Sequence, residues 1–407
     1  MVPDGWKQIR LDHNAKHVTS GSRGWAEYYS VHGDVFVRIT NLQRTSIKPN
    51  WSNTKHVKLP VGMNEGLRTR LRQGDILLSI TADLGIIGYI HDEPDVPHYI
   101  NQHVALVRLD QQEIDPEFVA YTLSSTVMRH AIQRLNDAGA KAGLSLPTIR
   151  SIPLKVPPLP EQRKIAEILS TWDRAIENTE ALLITAQDQK RALMQALLTG
   201  KRRFPEFEGE EWREVKLGDA MSLQSGFAFK SDHFADHGIP IIRITNVEST
   251  INMEGSPYYD ENPDLERFIV SDGDILISMT GYVGKVGVFV STEKCPKAYL
   301  NQRVGRVVRK CDGPLIGEYL LQLLKTDHFV REVRNLSAGG AQPNVSSRDI
   351  CAIRFKVPET AEQQKIAEIL SIADREIEPL KGICTRLRSE KKALMQQLLT
   401  GKRRVAV

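Results

Sequence analysis

Long apolar runs are missing from these 407 residues. No stretch of about 18 hydrophobic side chains is present to cross a bilayer, and the start, Met1-Val2-Pro3-Asp4-Gly5, has no basic segment ahead of an apolar one. The expectation is a cytoplasmic protein, with no membrane among its partners. Cysteine is scarce: Cys295, Cys311, Cys351 and Cys384 form no C-x-x-C pair, and none stands at zinc-ligand spacing from a histidine. Free reduced thiols are expected, and no metal. The motifs of catalysis are missing too. Thr199-Gly200-Lys201 shares only a fragment of a phosphate-binding loop, and it ends a helical pattern rather than starting one. Gly281, Gly284 and Gly287 have the spacing of turn glycines between strands, not of the dinucleotide fingerprint. Asp272 and Asp274 lie at a hairpin entry, where turn chemistry explains them better than nuclease chemistry. Pro157-Pro158-Leu159 lacks the Asn or Asp and the aromatic that a base-flipping methyltransferase needs beside its prolines. No G-x-S-x-G and no H-E-x-x-H occurs, so a non-catalytic chain that binds no cofactor is expected.

Strong positive charge is also lacking. The net charge is +4, made up of +3 over residues 1–159, +2 over 160–203, −5 over 204–359 and +4 over 360–407. An acidic third segment argues against simple electrostatic coating of a nucleic acid. A DNA-binding chain of this kind must gather its basic groups on one face, or leave phosphate contacts to partners.

What the sequence does have is a repeat, offset by about 201 residues. Glu161-Gln162-Arg163-Lys164-Ile165-Ala166-Glu167-Ile168-Leu169-Ser170 returns as Glu362-Gln363-Gln364-Lys365-Ile366-Ala367-Glu368-Ile369-Leu370-Ser371. Both copies close on Leu-Thr-Gly-Lys-Arg-Arg, at 198–203 and 399–404. Fainter echoes connect the rest: Arg38-Ile39-Thr40-Asn41 with Arg243-Ile244-Thr245-Asn246, Gly74-Asp75 with Gly273-Asp274, Asn101-Gln102 with Asn301-Gln302, and Trp6 with Trp212. The order is variable domain 1–159, constant helix 160–203, variable domain 204–359, constant helix 360–407.

Within the first constant segment, apolar and small residues fall at 165, 169, 172, 176, 179, 183, 186, 190, 193 and 197, the alternating spacing of a coiled-coil seam. The second copy matches it from Ile366 to Leu398, with Lys190 and Lys391 at equivalent seam positions as a register-setting device. Forty helical residues span about 60 Å. Such a helix has no hydrophobic partner of its own, so the two copies most simply pair antiparallel, with a pseudo-two-fold relation between the domains. Gly200 and Gly401 fit the left-handed residue past a helix end. Pro379, inside the second copy, should kink it. The variable segments read as α+β. β-rich runs lie at 35–40, 75–80, 86–90 and 104–109, with counterparts at 239–245, 274–279, 286–290 and 304–309. One helical stretch follows each set, near 116–135 and 315–334, and then a Gly/Ala-rich loop.

These features together resemble the specificity subunits of type I restriction–modification systems along the whole chain. The resemblance rests on the shared helix start after Pro157 and Pro358, the shared helix end, and the phrase Ser225-Gly226-Phe227-Ala228-Phe229-Lys230, which the first variable domain lacks. It implies two target recognition domains, each reading one half of a bipartite site in double-stranded DNA, with helices that fix the gap between the halves. It also implies two methyltransferase subunits using S-adenosylmethionine, and motor-nuclease subunits using ATP and Mg2+, so that those cofactors lie on partners. A two-domain protein-binding adaptor, an enzyme with an unrecognised site, and a recognition subunit of a related system cutting near its site remain as alternatives.

Base reading needs amide or guanidinium groups on loops, and phosphate anchoring needs Lys, Arg, hydroxyl or free N–H groups. In the first domain Arg38, Lys48, Asn50, Lys55, Thr81 and Lys141 meet that description; in the second, Arg243, Thr280, Tyr282, Lys285, Gln342 and Asn344 do. Arg38 and Arg243 recur in both halves, which suits a phosphate contact or a structural ion pair better than a base reader. Leu193, Met194 and Leu197, with Leu394, Met395 and Leu398, give a wider apolar surface than one seam requires. That surface is either fuller coiled-coil packing or a docking face for methyltransferase subunits.

Overall fold

The structure is a computed structural model that describes residues 2–60, 62, 66–135, 143–337 and 343–406. The chain divides into two units: residues 1–181 with 381–407, and residues 182–380. Each unit therefore holds half of each long helix. The helices run Leu159–Leu197 and Thr360–Leu398, and the second is continuous through Pro379.

In the first unit an antiparallel sheet has the order Ala15–Ser20, Val104–Leu109, Ile76–Ser79, Ile87–Tyr89. A smaller sheet centres on Asp34–Val37, which pairs parallel with His98–Ile100 and antiparallel with Lys55–Val57. The second unit repeats the plan. Its larger sheet is Met221–Ser225, Val304–Arg309, Ile275–Ser278, Val286–Val288, and its smaller one centres on Ile239–Ile242 parallel to Ala298–Leu300. In both, a separate two-stranded ribbon pairs the strand after the N-terminal Trp with the strand before the long helix: Lys7–Arg10 with Pro153–Val156, and Arg213–Lys216 with Arg354–Val357.

The expected single helix after each sheet is two helices, Pro116–Ser124 then Thr126–Arg134, and Gly317–Leu324 then Asp327–Leu336. The break is chemical. Ser125 Oγ accepts the N–H of Met128 at 3.3 Å, and Thr326 Oγ1 accepts that of Phe329 at 3.2 Å, so a hydroxyl starts a new helix where periodicity alone runs on.

The long helices meet antiparallel inside each unit. In the first, the Lys391 ammonium bonds the Asp173 carboxylate and Arg388 reaches Glu180 at 2.7 Å. In the second, Lys190 Nζ lies 2.6 Å from Asp374. Both lysines are buried at the seam positions the repeat marked. Each aspartate also accepts from its domain: Tyr121 Oη donates to Asp173 at 2.7 Å, and Gln322 Nε2 to Asp374 at 3.0 Å. Burial pushes the Tyr121 phenol up, and the Asp173 carboxylate beside it adds to the effect, so the hydroxyl stays a donor. A second clamp sits at each helix start. Gln162 accepts the N–H of Asp115 at 2.9 Å and donates to Pro157 O at 2.8 Å, while Gln363 accepts from Ile316 at 3.1 Å and donates to Pro358 O at 2.9 Å. Buried Glu161 and Glu362 take forked bonds from Arg404 and Arg203, the last residues of the basic triplets. Gly200 and Gly401, at φ of 71° and 69°, turn the chain out of each helix.

The docking face expected of Leu197 and Leu398 is corrected by their burial. They are 4% and 1% exposed, closed into the cores of the second and first units, and have no surface to offer a partner. Leu193 and Met194, and Leu394 and Met395, are half-buried against those same cores.

Asp173→Ala leaves the Lys391 ammonium buried without its counter-ion and should cost about 3–5 kcal/mol by denaturant unfolding, whereas Lys391→Met with Asp173→Leu and Tyr121→Phe, which removes the third polar member as well, should come close to wild type. Burial works to raise the Asp374 carboxyl, but Lys190 and Gln322 outweigh it and hold it below the usual range. Its stabilisation is then full above about pH 4 and lost as pH falls through the depressed value. The stability gap between wild type and Asp374→Asn should therefore narrow in acid, and a gap constant down to pH 2 would contradict that origin.

Candidate nucleic-acid interface

Each larger sheet ends in a hairpin loop held by one serine hydroxyl. Ser79 Oγ donates to Asp83 O at 2.5 Å and accepts the N–H of Ile86 at 2.7 Å. Ser278 Oγ donates to Tyr282 O and accepts the N–H of Lys285 at 3.0 Å. With its backbone groups satisfied from below, the loop presents residues 81–83 or 280–282 outward.

Beside that loop lies the turn at 101–103 or 301–303. The Asn side chain builds it: Asn101 Oδ1 accepts the N–H of His103 and Asn301 Oδ1 that of Arg303, both at 3.1 Å. The turn and the loop are stitched together by Ile80 N–H to His103 O at 3.0 Å, and by Met279 N–H to Arg303 O at 2.9 Å. The Gly-rich segment ahead of the long helix joins the same edge. Leu144 N–H bonds Ile80 O at 3.0 Å, Val345 N–H bonds Met279 O at 3.0 Å, and Thr280 Oγ1 reaches Asn344 Oδ1 at 3.1 Å.

Of the residues picked from sequence, the second domain's set comes together. Thr280, Tyr282, Lys285 and Asn344 share one edge; Tyr282 is 65% exposed, and the Lys285 ammonium stands 4.9 Å from its ring centre. In the first domain Thr81 occupies the equivalent place, bonded through Oγ1 to His103 Nδ1 at 2.7 Å. Lys141 and Gln342 lie outside the described residues. The others are dispersed. Lys48 is exposed but ion-paired with Glu177 of the long helix at 2.8 Å. The amide oxygen of Asn50 accepts the N–H of Ser52 at 2.9 Å, which forms a local turn. Lys55 sits on a strand of the smaller sheet, its ammonium 6.0 Å from the Tyr29 ring centre. Arg38 and Arg243 donate to backbone carbonyls of their own domains, Asn53 O at 3.3 Å and Gly255 O at 3.2 Å. In both arginines Nε is buried with no hydrogen-bond partner among the described residues. These two hold loops in place, by bonds to carbonyls rather than by an ion pair.

Sequence reasoning passed over two features. Gln102 and His103, with Gln302 and Arg303, stand at the edge; the recurring Asn-Gln pair was visible, but the residue after it was not weighed. Gly21 also matches Gly226, although the aromatic phrase is absent around it. A Cβ at either glycine would lie 2.1 Å from Ile100 O or 2.0 Å from Leu300 O, so only glycine lets this strand end cross the turn. Trp25 against Phe36 and Tyr99 does in one unit what Phe227 and Phe229 against Phe268 and Tyr299 do in the other.

Among the described residues no group of three or more His, Cys, Asp or Glu is placed to hold a metal ion. Nor, among the described residues, is any helix long and apolar enough to cross a membrane.

The family model described as the type I restriction modification DNA specificity domain matches residues 41–186 and 209–387. The chain belongs to that family of specificity subunits. It is 30% identical over 271 residues to the type I restriction enzyme MjaVIII specificity subunit of Methanocaldococcus jannaschii, a match spanning 63% of either chain. Against the MjaX specificity subunit of the same organism, described as putative, it is 24% identical over 83% of this chain and 80% of that one. In fold it is similar to the type I restriction–modification S subunit from M. genitalium, with a TM-score of 0.66 at 16% identity over 97% of this chain and 96% of that one. The specificity subunit is the non-catalytic, DNA-directing component of such a system.

Gly21→Ala and Gly226→Ala should each destabilise the chain by about 3 kcal/mol, read by denaturant unfolding. Gly24→Ala, where an added Cβ meets nothing within 4 Å but φ is +88°, measures a left-handed backbone without a clash and should cost less.

Proposed function

We propose that the chain reads a bipartite site in double-stranded DNA, one half with each domain, while the paired helices set the unread gap and dock two methyltransferase subunits. The observation that carries this reading is one backbone frame built twice with different side chains: exposed Asp83 against exposed Tyr282 on the loop, and half-buried His103 against exposed Arg303 on the turn. A reader of two different half-sites needs that combination, because groove edges are distinguished by side-chain donors and acceptors while the framework is common. S-adenosylmethionine would sit on the methyltransferase subunits, and ATP with Mg2+ on motor-nuclease subunits. The complex would act in the cytoplasm, where cellular DNA is accessible.

The net charge of −5 over residues 204–359 favours one other reading, a protein-binding adaptor that holds two ligands at a fixed distance. Single-molecule sequencing of DNA modification, in cells with and without this chain beside its methyltransferase partner, decides between them. One bipartite adenine-methylated motif should vanish on deletion. An unchanged modification pattern while the partner is active would leave the adaptor.

A further inference from the structure

The turn at 101–103 and 301–303 carries the sharpest difference between the two copies. Its backbone is the same in both: the Asn Oδ1 bonds residue three at 3.1 Å, and the Asn carbonyl accepts the next valine N–H at 3.1 Å and 2.9 Å. The third side chains behave oppositely. His103 is closed in on itself. Gln102 Nε2 lies 3.1 Å from His103 Nε2, and Thr81 Oγ1 lies 2.7 Å from Nδ1. An amide nitrogen only donates, so Nε2 accepts, the proton rests on Nδ1, and both ring nitrogens are engaged within the chain. Arg303 is exposed, and its guanidinium has no hydrogen-bond or ion-pair partner among the described residues. Meanwhile Thr280, equivalent to Thr81, has turned to Asn344.

Resting on the DNA-reading function proposed above, we propose that Arg303 is a specificity-determining residue of the second half-site, where its guanidinium reads a guanine. The planar fork of donors matches O6 and N7 of guanine in the major groove, and the three other bases lack that paired acceptor edge. The turn fixes the backbone from which the side chain projects, and the cost of ordering the arginine is offset by two charge-assisted bonds. Lys285 and Tyr282 on the neighbouring loop supply a cation and a phenol for the adjacent backbone.

The test uses the full complex of this chain with its methyltransferase subunits, carrying Arg303→Ala, Arg303→Gln or wild-type sequence. Two measurements are made: the methylated motif in cells, and binding to duplexes in which each second-half-site base is replaced in turn. Arg303→Ala should relax one guanine position of the second half-site by about 10- to 100-fold, with the first half-site unchanged. Arg303→Gln should shift that position toward adenine, whose N6 and N7 suit an amide. Thermal melting should be unchanged, since the side chain holds nothing else in place. Uniform weakening on every duplex with the motif intact would make Arg303 a phosphate contact and overturn the inference, as would no change at all. Absence of any bipartite motif from the wild-type complex would instead overturn the reading on which the inference rests.

Discussion

A lysine–aspartate pair in a helix seam, its ammonium buried and its carboxylate partly so, is an expensive way to join two helices, since the charges lose much of their water. Its value here lies in the third member. Asp173 is bonded at once to Lys391 across the seam and to Tyr121 of the domain, and Asp374 likewise to Lys190 and Gln322. Apolar side chains in these places could slide or rotate against one another at little cost. A carboxylate holding two directional bonds cannot, so one buried charge fixes helix register and domain orientation together. Gln162 and Gln363 repeat the logic at the helix starts.

Much of this was legible in the residues. The seam spacing located Ile165, Leu169, Ile366 and Leu370, all buried, because a heptad records its partner's geometry in its own periodicity. The two lysines betrayed themselves by interrupting an apolar seam at the same place twice. The aspartates and Tyr121 did not, since a polar residue on a helix flank looks like any solvated one until its partner from elsewhere in the sequence arrives. The strand 104–109 was read to the residue, while the runs at 35–40 and 239–245 each overran a strand that gives way to a tight 3-10 turn.

The candidate interface was half legible for the same reason. Thr280 and Asn344 were picked separately as loop residues, but nothing in sequence announces a bond between side chains 64 positions apart. Arg38 and Arg243 were legible as a pair because they recur, but the carbonyls they hold carry no sequence signature. Gly21 was hidden because its role is defined by the space it leaves for the Ile100 carbonyl, and the phrase that marks Gly226 belongs to the aromatics packed nearby.

The first unit is assembled from both ends of the chain, residues 1–181 and 381–407, whereas the second is one continuous stretch. On the ribosome, the second unit's whole core is available once residue 380 has emerged. The first must wait for Leu398 and Leu399, which pack into the core with Trp6, and for Arg404, which neutralises buried Glu161, all made after the second unit is complete. Until then its long helix start is a nascent segment with an apolar face open and a charge uncompensated, the state in which multidomain chains aggregate or recruit chaperones. Translation order thus makes the unit that begins first the later of the two to close, and a change that removes residues after 380 would strike the unit encoded first.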